Sequence, residues 1–272
     1  MMKNLLTRSL TGLVFGVVVI GSFLFNQVAF TILMLATSLI GLTEFAKFRP
    51  TTFSRPSDTI SLLMSGFILF MLIHLVQEKF APTSYLSLIF LIFLYISIKT
   101  LITRPDNAIS KISEFFFGLM YVVLPFALMT GFYQDETASK RPELLIGFFI
   151  ILWFNDVFAY LVGSAFGKTK LYEKVSPKKT WEGTIGGVIL SMLSAYFLST
   201  VFLSFNLTNW LVIGFLISIF ATLGDLAESM FKRQAYLKDS GNLMPGHGGV
   251  LDRFDGLLFA APAIYVYLTM IS

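Results

Sequence analysis

Nine apolar stretches of about 20 residues run through this chain, each long enough to cross a hydrocarbon core of roughly 30 Å as a helix. They lie near residues 10–25, 28–48, 59–77, 83–102, 114–133, 143–166, 184–205, 209–230 and 251–271. Lipid offers no partner to a bare backbone amide, so runs of this length and number predict an all-α, polytopic helical membrane protein. A mean hydropathy of +0.77 and a charged fraction of 13% lie outside the range of a water-soluble domain. Breaker pairs at Arg49-Pro50, Arg55-Pro56, Arg104-Pro105 and Arg141-Pro142 separate several of the runs. No low-complexity linker or internal repeat divides residues 1–272, so they are read as a single membrane domain.

Orientation follows from the cations. With the N-terminus in the cytosol, only Lys79, Lys140 and Arg141 of the 20 Lys and Arg residues fall in outer connections. The positive-inside rule then predicts nine spans, N-terminus cytosolic and C-terminus outside. Two long charged loops, 167–182 and 231–250, face the cytosol. Lys3 and Arg8 precede an apolar run with no small-residue cleavage site, so the N-terminus reads as a first membrane helix. The chain has no cysteine, which removes disulfides, thiolate nucleophiles and Cys-ligated metals. Nothing in the charge pattern suggests nucleic-acid binding.

Polar chemistry gathers late in the chain. Residues 222–256 hold five of the 16 acidic residues, Asp225, Glu228, Asp239, Asp252 and Asp255, and one of the two histidines, His247. Charges near lipid persist where they pair, bind ions or line a wet cavity. Residues 1–133 read as an N-terminal helical scaffold in which Glu44 and His74 are the polar exceptions. Glu44 is expected to form an interfacial ion pair with Lys47, and His74 to be an interfacial or packed histidine. Residues 143–272 carry the candidate chemistry.

Within the sixth run, Asp156, Tyr160, Gly163 and Gly167 share one helical face. Gly163 and Gly167 permit close helix approach, and the face is expected to line a polar cavity with Asp156 turned to it. Ser176-Pro177-Lys178-Lys179-Thr180 directly precedes a helix, where free amides and the helix dipole favour an anion. Thr180 and Glu182 supply capping-type side chains, and Lys178 and Lys179 suit phosphate as point charges.

Asp225 and Glu228 are spaced i, i+3 at the end of the eighth run, and Asp252 and Asp255 repeat that spacing at the start of the ninth. Two such pairs can converge on one cation, and an oxygen-only, cysteine-free donor set favours Mg2+. The competing reading is salt bridging to Lys232, Arg233 and Arg253. Between the pairs lies a glycine-rich loop, Gly246 to Gly249, whose amides can approach a phosphate closely. Carboxylates, cations and glycines at one membrane face suggest phosphoryl or nucleotidyl transfer. No P-loop, Ser-His-Asp or His-Glu-x-x-His pattern occurs.

The run Ser229-x-Phe231-Lys232-Arg233-x4-Lys238-Asp239-x-Gly241-x3-Pro245-x-His247-Gly248-Gly249-x2-Asp252-Arg253-x-Asp255 resembles the signature of phosphatidate cytidylyltransferases, the CDP-diacylglycerol synthases. Met244 stands where that pattern usually has Leu, Ile or Phe. The motifs Asp156-x2-Ala159-Tyr160-x2-Gly163-x2-Phe166-Gly167-Lys168 and Ser176-Pro177-Lys178-Lys179-Thr180-x-Glu182-Gly183 resemble the same family, so the similarity spans about residues 150 to 260. It implies transfer of CMP from CTP to phosphatidic acid, giving CDP-diacylglycerol and pyrophosphate. Mg2+ is the implied cofactor, with room for a second cation.

Carried over by position, Asp225, Asp252 and Asp255 would hold the metal. Lys178, Lys179, Lys232, Arg233 and Arg253 would engage the triphosphate or the lipid phosphate, with Ser176, Lys238, Gly248 and Gly249 as further substrate contacts. Asp156 joins the catalytic set. His247 is either an acid assisting pyrophosphate departure or a loop donor to phosphate. The second is favoured, because pyrophosphate on Mg2+ needs little protonation. The resemblance also implies a homodimer in the inner (cytoplasmic) membrane with its site facing the cytosol. Competing readings are a related CTP-dependent enzyme (a polyprenol or phytol kinase, or a synthase acting on ether lipids) and an ion-coupled transporter. The acids cluster at one membrane face, which disfavours transport.

Overall fold

The computed structural model describes residues 2–103, 108–133, 141–243 and 248–271. Helices dominate. They are α1 (Met2–Phe25), α2 (Gln27–Phe48), α3 (Pro56–Gln77), α4 (Ile89–Thr103), α5 (Ala108–Gly118), α6 (Leu124–Gly131), α7 (Arg141–Phe166), α8 (Trp181–Val201), α9 (Leu207–Gln234) and α10 (Leu251–Ile271). A 3-10 stretch, Thr83–Leu88, leads into α4. A π-helical turn, Leu119–Val123, joins α5 to α6 just ahead of Pro125, whose missing N–H disturbs the regular ladder at that point.

Among the described residues, eight helical runs are long and apolar enough to span a membrane. They coincide with the second to ninth runs of the sequence. The first run corresponds to a shorter apolar stretch of α1, Thr11–Phe25. Ends are set by local chemistry. Asn26 caps α2 by accepting from the Ala29 amide at 2.7 Å, and Asn206 caps α9 by accepting from the Asn209 amide at 2.8 Å. Pro56 opens α3, where its lack of an amide hydrogen costs nothing.

Two compact units result. The first comprises Met1–Gln134 with Asp239–Arg253, and the second Asp135–Lys238 with Phe254–Ser272. In the first unit, Phe30, Met34, Leu42, Leu62, Phe70, Phe115 and Phe126 are fully buried. This unit is more polar than the sequence suggested. Asp58, 1% exposed, pairs through Oδ1 with Lys99 at 3.2 Å and through Oδ2 with Lys111 at 2.9 Å. Arg49 and Thr52 both bond Glu114. The scaffold reading missed these groups because each partner is distant in sequence. His74 packs as expected, with Nδ1 3.2 Å from Thr130 Oγ1.

In the second unit α7 and α8 lie against each other along a seam of small residues. A Cβ on Gly183 would sit 2.7 Å from the Ala159 carbonyl oxygen and 3.0 Å from Gly163 Cα, which is the close approach expected at Gly163. The connection between them, read from sequence as a loop, contains a two-stranded antiparallel hairpin, β1 (Lys170–Tyr172) and β2 (Ser176–Thr180). Thr180 ends β2 and caps α8, its Oγ1 accepting from the Gly183 amide at 3.2 Å. Glu182 accepts from the amides of Lys168 and Thr169 at 3.1 Å each, so its carboxylate ties the start of the hairpin to the first turn of α8.

Helix α9 crosses the part of α10 in this unit at Gly224, where a Cβ would collide with the Asp255 carbonyl oxygen and lie 3.3 Å from Gly256 Cα. Backbone cannot retreat as a side chain can. Gly224→Ala is therefore expected to cost about 1–3 kcal/mol of stability by overpacking. The same change in the freely packed α1 position Gly21, where a Cβ meets nothing within 4 Å, should be neutral or slightly stabilising. Thermal unfolding of the two variants in detergent checks the contrast, and an equal midpoint for both would remove the crossing as a constraint.

Candidate functional site

The second unit holds a cavity of about 560 Å3, within the range of roughly 300–1,000 Å3 usual for small-molecule sites. Four elements line it. Asn155, Asp156, Ala159, Tyr160, Gly163 and Ser164 come from α7, and Gly183 and Thr184 from α8. Thr222 and Asp225 come from α9, while Lys170, Lys178, Lys179 and Thr180 come from the hairpin. Three of the four residues of the face inferred from helical spacing, Asp156, Tyr160 and Gly163, thus line the cavity, while Gly167 falls just past the end of α7. The hairpin explains how two lysine positions become three: Lys170 pairs with Thr180 across the ladder, which brings it beside Lys178 and Lys179. A strand pairing lay outside what residue spacing alone indicated, so Lys170 was missed.

Cations and carboxylates meet at the wall. Lys179 Nζ is 2.5 Å from Asp225 Oδ2, and Asp225 Oδ1 accepts from Ser229 Oγ at 3.2 Å. Asp156, Asp225 and Glu228 all bear electrostatically on Asp255, which sits across the Gly224 crossing. The close approach of the α9 and α10 backbones at Gly224 and Gly256 brings the stretches that carry Asp225 and Asp255 together. Asn155 is 2% exposed, and its Oδ1 has no hydrogen-bond partner among the described residues.

The remaining basic residues of this unit behave differently from one another. Lys232 lies on the last turns of α9, beyond the predicted end of that run, and pairs with Glu228 at 3.3 Å across one helical turn. Salt bridging, the competing reading of the acids, thus holds for Glu228. Arg233 donates to the Leu237 carbonyl at 3.3 Å, and Lys238 and Lys178 are exposed. Ser176 is half-buried at the start of β2.

In the first unit, Asp252 opens α10 and its Oδ2 accepts three hydrogen bonds. The donors are the Ser240 amide at 2.7 Å, the Gly249 amide at 2.8 Å and Ser240 Oγ at 2.9 Å. The Gly249 amide, read as a phosphate donor, is engaged here by Asp252. Gly248 adopts φ +81°, a backbone conformation that glycine permits, and a Cβ there would meet Asp252. Arg253 is exposed in the first turn of α10. Glu44 corrects the sequence reading: instead of pairing with Lys47 at an interface, it is 2% exposed and accepts from Ser240 Oγ and the amides of Val250 and Leu251. Those partners lie some 200 residues away, so no local pattern pointed to them. His247 lies outside the described residues.

Among the described residues no group of three or more His, Asp or Glu side chains is preassembled to hold a metal ion. The second unit does supply oxygen donors of the kind a hard divalent cation takes: the carboxylates of Asp156, Asp225 and Asp255, and the Asn155 side-chain carbonyl, which has no hydrogen-bond partner among the described residues.

Apolar helices carrying a cavity lined by lysines and carboxylates define a class: polytopic membrane proteins with a charged cavity among their helices. Within that class the chain belongs to the cytidylyltransferase family, whose model matches residues 6–271. It is similar to the phosphatidate cytidylyltransferase of Staphylococcus saprophyticus, 42% identical over 141 residues, 51% of this chain and 54% of that protein. A Staphylococcus aureus relative of the same name is 43% identical over 135 residues, 49% of this chain and 52% of the relative. Against these staphylococcal proteins the chain spans about half the length of the relatives it matches. The phosphatidate cytidylyltransferase of Bacillus subtilis is 30% identical over 278 residues, 100% of both chains.

Proposed function

We propose that this protein transfers CMP from CTP to phosphatidic acid, forming CDP-diacylglycerol and pyrophosphate at the cytosolic face of a cytoplasmic membrane. The observation that carries the reading is the cavity itself, where Lys170, Lys178 and Lys179 line one space of about 560 Å3 together with Asp156 and Asp225. The names of the relatives and the phosphate-suited hairpin support it. The cytosolic placement rests on the skew of Lys and Arg toward one set of connections.

The chemistry divides among the chain's own groups. A phosphatidate oxygen, already anionic, forms a bond to the α-phosphorus of CTP as the bond from that phosphorus to the bridging oxygen of pyrophosphate breaks. No strong base is required. Lys170, Lys178 and Lys179 draw in the triphosphate and offset repulsion between two anions. Lys179 exchanges its carboxylate partner Asp225 for a phosphate oxygen as nucleotide arrives. Asp225 and Asp255, with Asp156 beside them, would hold Mg2+, which when bound neutralises charge on the triphosphate and on departing pyrophosphate. Asp252, at the start of α10, holds Ser240 and Gly249 in the first unit. Lys232 holds Glu228, and exposed Arg233, Lys238 and Arg253 suit anionic headgroups at the membrane surface.

Membranes containing the protein should convert CTP labelled in the cytosine ring into labelled lipid, and only with phosphatidic acid and Mg2+ present. Label appearing instead on a polyprenol from the γ-phosphate of CTP would assign the chain to lipid kinases. No transfer of either kind would leave the cytidylyltransferase reading without support.

A further inference from the structure

We propose that Glu44, on α2, is a positioning residue for this reaction, acting through Ser240 on Asp252, Gly248 and Gly249; the inference rests on the cytidylyl-transfer reading. A carboxylate buried to this degree inside an apolar helix is costly unless its oxygens are satisfied. They are. Oε1 accepts from the Val250 amide at 2.9 Å, and Oε2 accepts from the Leu251 amide at 2.9 Å and Ser240 Oγ at 2.8 Å. The two amides are at the start of α10, where free N–H groups and the helix dipole favour an anion.

An ordinary helix cap comes from a residue within one turn, and Asp252 already supplies that contact to Gly249. Glu44 adds a second carboxylate from the far end of the sequence. Ser240 Oγ stands 2.8 Å from Glu44 Oε2 and 2.9 Å from Asp252 Oδ2, so one hydroxyl bridges both acids. Its single hydrogen serves one carboxylate at a time, which ties the orientation of Asp252 to the place of Glu44. The backbone is laid on the same group: a Cβ on Gly241 or Gly249 would collide with the Glu44 carboxylate. Two glycines of the signature run are thus explained by a residue outside it.

Three variants of the full chain, Glu44→Gln, Ser240→Ala and the double, test this by steady-state cytidylyl transfer and by hydrogen exchange of residues 248–252. Gln keeps the shape of Glu44 but turns an NH2 toward a donor. Each single variant is expected to lower kcat by about 10- to 100-fold, the usual range for groups that orient a site's own residues. KM for CTP should stay within about threefold, and exchange at 248–252 should accelerate. The double variant should be no slower than the slower single, because both changes break one path. Glu44→Asp, which keeps the charge, should retain more activity than Gln.

Unchanged kcat in Glu44→Gln, losses that multiply in the double, or a kcat loss equal to the unfolded fraction would each overturn the proposal. If Glu44→Gln does not fold, Ser240→Ala decides alone, since it cuts the bridge and leaves the two amide bonds. Absent cytidylyl transfer in wild type would count against the function, while the exchange measurement would still decide whether Glu44 orders residues 248–252.

Discussion

Asp225→Asn is expected to lower cytidylyl transfer by about 10²- to 10³-fold, the scale for removing one preorganised electrostatic group, and to leave the protein at least as stable as wild type. The two halves of that expectation have one cause. Asp225 lines the cavity, holds Lys179 at 2.5 Å and bears electrostatically on Asp255. With Asp156 and Glu228 also bearing on Asp255, the acids of this unit repel one another. Asparagine keeps the shape and still accepts from Ser229, but it removes one negative charge from the group. Repulsion falls, so stability holds or rises, while the charge that would bind a divalent cation is gone. Such opposite movement marks a site whose strain serves function. Steady-state transfer assays and thermal unfolding on the same preparation read both halves. Activity within threefold of wild type would remove Asp225 from the reaction. A large drop in midpoint would make it a structural residue instead.

What the sequence disclosed depended on how far apart the interacting residues lie. Helical runs are local, and eight of the nine coincide with long apolar helices. The Asp156, Tyr160 and Gly163 side of α7, the Thr180 cap and the Gly163 approach also rest on spacings within about two turns, and each appears in the structure. Pairings across the chain did not. The hairpin that carries Lys170 to the cavity depends on strand register, and the Gly224 crossing depends on where α9 meets α10. Glu44 was misread because Lys47 is its neighbour in sequence, whereas its partners Ser240, Val250 and Leu251 are neighbours only in the fold. The bonds that Asp252 makes were likewise not legible from its i, i+3 spacing to Asp255. In the structure its Oδ2 accepts from the Ser240 and Gly249 amides, of which only Gly249 lies within a turn of it in sequence.

The buried charges of the first unit, another feature invisible to local pattern, give the second large effect. Asp58→Asn is expected to destabilise the protein by about 3–5 kcal/mol, because it leaves buried ammonium without its counter-charge. One carboxylate here serves two lysines, Lys111 at 2.9 Å and Lys99 at 3.2 Å. The lysines are not equivalent. Lys111 is 5% exposed, whereas Lys99 also donates to the Ser57 carbonyl at 2.7 Å and to Ser61 Oγ at 2.6 Å, and its side chain is 19% exposed. Lys99 can extend its charged end toward water when Asp58 is neutralised, and Lys111 cannot. An order of effects follows. Lys111→Met alone should cost little, since Asp58 keeps Lys99. Asp58→Asn alone should cost most. The double variant Asp58→Asn with Lys111→Met should recover much of the loss, because a buried pair exchanged for neutral side chains of similar volume is often close to neutral. Cytidylyl transfer by the folded fraction should match wild type in all three, as none of these residues lines the cavity of the second unit. Thermal midpoints of the variants in one detergent decide the order. A double variant no more stable than Asp58→Asn would show that the cost arises from lost packing or hydrogen bonds at Asp58 and not from the stranded charge of Lys111.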